Sequence, residues 1–128
     1  MGSTPWPEAS SNTDLCRLVA AAADLCRKPL RHGVLLVSAV GDEDCTLMLE
    51  ARSAEGERLR DQDLELDIFR SGADLHLTLA WREDDRRPTL WQGSHHLWMT
   101  AEGERCPCPG DGTPLEALAR RLRSLLAP

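Results

Sequence analysis

Tyrosine is absent from the chain, and phenylalanine and lysine each occur once, so that fourteen of the fifteen basic residues are arginine. A bias of that kind reads as genomic base composition, and it makes an isolated arginine weak evidence for a bidentate anion site. Positive charge is also in short supply overall. The formal net charge is -6, which disfavours a general nucleic-acid binder, because phosphate binding draws its affinity from clustered cations. No apolar run approaches the roughly 20 residues that cross a bilayer. The first dozen residues hold neither a basic residue nor an apolar core, so no secretory signal is expected. Five cysteines are an odd number; together these features predict a cytoplasmic protein with free thiols. The GxSxG nucleophile motif, the phosphate loop and the dinucleotide fingerprint are all missing, which points away from an enzyme and from a bound cofactor.

What is present is organised around residues 63–83, DLELDIFRSGADLHLTLAWRE. Leu64, Leu66 and Ile68 alternate with acids, and Leu75, Leu77, Leu79 and Trp81 alternate with polar or small residues. This is the period of two of paired strands with one wet and one dry face. A turn centred on Ser71-Gly72 sets Ile68 opposite Leu75, Leu66 opposite Leu77 and Leu64 opposite Leu79. The same register sets Asp67 across from His76 on the wet face.

The rest of the chain builds outward from that hairpin. Residues 1–11 are rich in Pro, Ser and Gly and read as a flexible tail, with Trp6 between two prolines as a group able to dock; residues 12–128 form a single domain of ordinary size. Asn12 or Thr13 caps a first helix whose apolar stripe is Leu15, Leu18, Val19, Ala22, Leu25 and Cys26, ended by Pro29. Residues 30–40 are apolar on both faces in the middle, as in a central strand. A turn at 41–44 leads to a strand at 45–52 and sets Val40, Leu36 and Val34 against Cys45, Leu49 and Ala51. The pentapeptide AEGER occurs at 54–58 and again at 101–105, a reuse of one turn chemistry. An irregularity is expected at 59–62, where Leu59 disagrees in parity with Leu64. Residues 89–100 form one long strand or two short ones about Gly93, with at least one tryptophan pointing away from the core. Thr113-Pro114-Leu115-Glu116 reads as a capping box that starts a last helix with Leu115, Leu118, Ala119, Leu122, Leu125 and Leu126 on one face. The predicted fold is therefore α+β: an antiparallel meander of five or six strands with an N-terminal and a C-terminal helix packed on one sheet face. Its architecture is similar to small helix-and-sheet chaperone and adaptor domains, a likeness of layers alone.

Three groups of residues carry chemistry. Glu65, Asp67, Phe69 and His76 fall on the wet face, and with Trp91 or Trp98 on the same side they would form an aromatic patch rimmed by acid. That is the composition of a surface for a protein or peptide partner, or for a second copy of the chain. Asp67 opposite His76 in a cavity would instead suit general acid and base catalysis or a small ligand, although a solvated ion pair is the plainer reading. His95, His96, Cys106 and Cys108 are metal-competent types, but the CxC spacing and the opposite directions of adjacent histidines weaken a metal site. The expected function is a small non-enzymatic binding or adaptor protein with neither nucleic acid nor membrane as partner.

Overall fold

A computed structural model describes residues 12–39 and 44–127, with side chains at all of these positions except 12, 38, 39 and 71. Residues 41–43 of the turn expected at 41–44, Val40 opposite Cys45, the side-chain cap at Asn12 and the Trp6 tail lie outside the described residues, whereas Asp44 already belongs to a strand.

Helix α1 (Asn12–Cys26) comes first, then strands β1 (Arg31–Ala39), β2 (Asp44–Arg52), β3 (Leu64–Ser71), β4 (Asp74–Trp81), β5 (Thr89–Gln92), β6 (His96–Met99) and β7 (Arg105–Cys106), then helix α2 (Thr113–Leu126). The seven strands form one antiparallel sheet in sequence order. The α+β meander with a helix at each end is thus as expected, with seven strands rather than five or six. Two short strands about the turn at Gly93 and the two-residue β7 account for the larger count.

Period-two alternation places Leu47, Leu49, Leu64, Leu66, Ile68, Leu77, Leu79 and Leu90 on the inner face, each fully buried. The helices cover that face, α1 over β1 and α2 over β4 and β5, and they touch each other. Leu15, Val19, Ala22 and Ala23 face the sheet from α1; Leu115, Leu118, Ala119 and Leu122 face it from α2. Leu25 and Leu125, expected in the two stripes, are instead exposed, while their neighbours Cys26 and Leu126 pack against the core. Arg123 Nε donates to the Leu75 carbonyl at 3.2 Å and Arg70 donates to the Leu126 carbonyl at 2.8 Å, which fastens α2 to the central hairpin.

The central hairpin is shifted by two residues from the expected register: Ile68 opposes Leu77, Leu66 opposes Leu79 and Leu64 opposes Trp81. Its loop is Gly72-Ala73, closed by Ser71 and Asp74, with Gly72 at φ +63°. Glycine at the first central position is the requirement of a II′ hairpin turn, and moving the loop centre by one residue moves every pair by two. A shift of two preserves all faces, so the leucines stay inside. It separates Asp67 from His76, however: Asp67 opposes Thr78, and His76 opposes Phe69.

β1 corrects the sequence reading more deeply. It is an edge strand, paired only with β2. Val34 opposes Leu49 and Leu36 opposes Leu47, again two residues from the expected pairs, and one extra residue at Val37 breaks the ladder before Ser38. The apolar residues on both of its faces therefore belong to a strand with one face in the core and the other in the open.

The two AEGER segments do form the same turn. The Ser53 amide donates to the Glu57 carbonyl at 2.8 Å and the Thr100 amide to the Glu104 carbonyl at 2.7 Å. Gly56 and Gly103 take the left-handed conformation at φ +96° and +86°. A hydroxyl precedes each loop: Ser53 accepts from the Glu57 amide and Thr100 from the Glu104 amide, both at 3.1 Å. The irregularity at 59–62 is a single 3-10 turn, Arg60–Gln62. At α2 the capping box does not form. Gly112 is the N-cap and makes no side-chain cap, while the Glu116 carboxylate accepts a 2.7 Å bond from Trp98 Nε1.

Candidate functional site

Among the described residues no helix covers the outer face of the sheet, and the strand register decides what it displays. One row runs Thr46, Asp67, Thr78, Trp91 and Leu97 across β2 to β6. At its centre Asp67 accepts from the Thr46 hydroxyl at 2.6 Å and from the Thr78 hydroxyl at 3.4 Å. The carboxylate is thereby held between two neutral donors, with its charge uncompensated by a described salt bridge. Beside it Phe69 and His76 stack across the strand pair, ring centroids 5.4 Å apart and planes 27° apart. Gly93 makes room for this pair, since a Cβ there would come within 3.1 Å of His76 Nδ1.

A hollow of about 570 Å³ opens over the row. Asp67 and its two threonines line it, together with Phe69, Trp91 and Asp44. Among the described residues no basic side chain lines it, so its field favours a cation. Trp91 is 42% exposed, and at the β1 edge Leu35 and Val37 are 51% and 53% exposed. Met48 lies opposite Leu35 beside that edge, and Leu97 opposite Trp91 and Met99 opposite Thr89 carry the apolar surface from Trp91 onto β6. Glu65 lies on the same face and pairs with Arg82 at 3.5 Å.

Of the residues expected here, Glu65, Asp67, Phe69, His76 and Trp91 share the outer face. Trp98 does not. It is 3% exposed, on the inner face, because the turn after Gln92 pairs Leu90 with Trp98 and so gives both the same inward parity. The catalytic pairing of Asp67 with His76 is likewise replaced: the threonines take up the carboxylate, the phenyl ring takes up the imidazole, and His76 is not among the residues lining the hollow.

Two of the residues weighed for a metal, His96 and Cys108, meet at the Glu116 carboxylate. His96 contacts Glu116 through Nε2 at 3.3 Å, and Cys106 packs against the core. The Cys108 thiol sits by the same carboxylate, whose pKa burial alone would raise; the bonds from Trp98 and Cys108 outweigh that and hold it below the ordinary glutamate range. Among the described residues no group of three or more His, Cys, Asp or Glu side chains is placed to hold a metal ion.

A second polar cluster, on the helix-covered side, was not legible in the sequence. Arg27, in the turn after α1, is only 5% exposed. It donates to His32 Nε2 at 3.0 Å, to the Gln62 carbonyl at 3.0 Å and to Gln62 Oε1 at 3.1 Å. His32 Nδ1 lies 3.0 Å from Asp24 Oδ1. A neutral imidazole satisfies both contacts, with the proton on Nδ1 and the Nε2 lone pair toward Arg27. Burial lowers the His32 pKa below its ordinary value despite the Asp24 bond. Trp81 carries a guanidinium on its ring, Arg87 at 3.5 Å from the centroid, with Arg27 at 5.7 Å. Only the polar interruption Arg27-Lys28-Pro29 at the helix end marked this place in the sequence. Its other members come from α1 itself, β1, the 3-10 turn, β4 and the loop between β4 and β5, which no local pattern brings together.

No curated protein and no solved structure matches the chain. Residues 16–125, from the first turns of α1 to the end of α2, match a family model described as a domain of unknown function, DUF8659, and the chain belongs to that family.

Proposed function

We propose that the chain is a non-enzymatic binding protein whose outer sheet face receives a segment of a protein partner. The observation that carries this is the hollow itself: an aromatic-flanked depression of about 570 Å³ with Asp67 and Asp44 in its lining and no basic group among the described lining residues. Strands position every contributor, and Leu97 and Met99 on β6 extend the apolar surface beside Trp91. Interfaces of this kind combine aromatic anchors with a polar rim. Its charge suits a partner segment with Lys or Arg beside apolar residues.

Selection from a random peptide library, with a Phe69→Glu/Trp91→Glu double variant as counter-selection, tests this. Peptides enriched in basic and apolar residues that bind the wild type and lose binding to the variant are expected. Equal recovery on the two proteins contradicts it.

Self-association is a second reading, supported by β1. This edge strand is nine residues long, holds no proline and exposes Leu35 and Val37, whereas β7 at the other edge has two residues. A long apolar edge is a template for another strand. Sedimentation at rising concentration tests it: a dimer weakened by Leu35→Lys is expected, and a monomer throughout contradicts it.

A further inference from the structure

We infer a second binding site, independent of the outer face: the cavity beside Arg27 takes a small organic carboxylate with an apolar body. Buried cations are ordinarily paired with an anion, because removing the charge from water costs several kcal/mol. Arg27 has only neutral acceptors, His32 and Gln62, among its hydrogen-bond partners. The two carboxylates whose field reaches it are committed elsewhere: Asp63 holds Arg58 through two bonds of 2.8 Å, and Asp111 holds Arg87. Burial draws the Arg27 pKa down to about 10, so the side chain remains a cation at neutral pH.

Arg27 borders a cavity of about 340 Å³, within the size range of small-ligand sites. Lys28 lines it as well, and so do Pro114 and Leu115 in the first turn of α2, where the helix dipole places positive potential. Asp111, the acid in the lining, is neutralised by Arg87. Local potential is thus positive in a chain whose net charge is -6. The remaining walls include the Trp81 ring, Pro29 and Leu30, which suit a flat or aliphatic body. The two cations Arg27 and Lys28 beside apolar walls would discriminate a carboxylate on a hydrocarbon from either half alone.

The test is a titration of the full chain with sodium benzoate, sodium acetate and benzyl alcohol, following the assigned Trp81 indole resonance at constant ionic strength. Benzoate alone is expected to saturate, and Arg27→Gln to weaken it by about tenfold or more, the usual effect of a charge-assisted hydrogen bond. Lys28→Glu, at an exposed position, should weaken it several-fold with folding unaffected, and it decides the matter if Arg27→Gln does not fold. Phe69→Glu/Trp91→Glu should leave the titration unchanged, which separates this site from the outer face. Equal responses to benzoate and benzyl alcohol, no response to benzoate, or undiminished binding by Lys28→Glu would overturn the proposal.

Discussion

Replacing Asp63 with alanine should cost about 3 kcal/mol of folding stability. The residue is 2% exposed, at the entrance to β3. Its Oδ1 accepts from the Ala51 amide at 2.7 Å and from Arg58 at 2.8 Å, and its Oδ2 accepts from Arg58 at 2.8 Å. The residue's own carbonyl accepts from the Arg82 amide at 3.0 Å, which continues the β3–β4 ladder past Trp81. One carboxylate thus ties β2, the loop at 53–62 and the start of the central hairpin. Truncation leaves the buried Ala51 amide unsatisfied, at about 1–2 kcal/mol, and removes a bidentate charged pair. Breaking a fully buried pair costs about 3–5 kcal/mol. Arg58 keeps 22% of its side-chain exposure and has Glu50 at 3.9 Å, so it recovers part of its solvation and the lower end of that range applies. Urea denaturation followed by far-UV circular dichroism measures the change through the midpoint at constant m. A loss below about 1 kcal/mol, within the range of ordinary surface substitutions, would refute the reasoning.

Four further outcomes follow from the same geometry. Burial alone would raise the Asp63 pKa, but Arg58 and the Ala51 amide outweigh it and hold the carboxyl below its ordinary value. The unfolded chain then binds the proton first, so stability present above the ordinary aspartate pKa of about 3.9 is lost as pH falls through the lower folded value; acid titrations of Asp63→Asn should show a shallower fall than the wild type, and parallel curves would count against it. Gly112→Ala should destabilise by about 1–3 kcal/mol as an overpacking change, because its Cβ would lie 2.7 Å from Cys108 Sγ and from Trp98 Cζ2; an unchanged melting midpoint would be inconsistent. Burial pushes the Cys45 thiol up to about 11, so in native protein at pH 8 iodoacetamide should modify exposed Cys108 well before Cys45, as read by peptide mass spectrometry. Val37→Lys, on the open face of β1, should change stability by no more than about 0.5 kcal/mol, and a large loss in thermal melting would mean that this face is covered.

Much of the fold was legible because side-chain parity is a local property. Alternation along 64–68 and 75–81 placed every leucine of the central hairpin on its correct face even though the turn sat one residue further on; a shift of two residues is invisible to parity. That same shift decided the chemistry, since Phe69 and not Asp67 meets His76. The edge position of β1 was less accessible. Residues 34–37 are as apolar as a central strand, and only the topology reveals that Leu35 and Val37 face outward at an edge. Glu116 shows how tertiary contacts override a local motif: the buried Trp98 indole N–H takes the carboxylate that a capping box would use. The Arg27 cluster draws on five separated segments, and such convergence leaves no periodic trace.

The most direct measurement follows the assigned indole resonances of Trp91 and Trp98 during titration with a selected basic peptide. If the uncovered side of the sheet is where partners bind, the Trp91 signal shifts to saturation while that of Trp98, enclosed against Glu116, stays in place. Movement of Trp98 or of the helix resonances with Trp91 unaltered would contradict it.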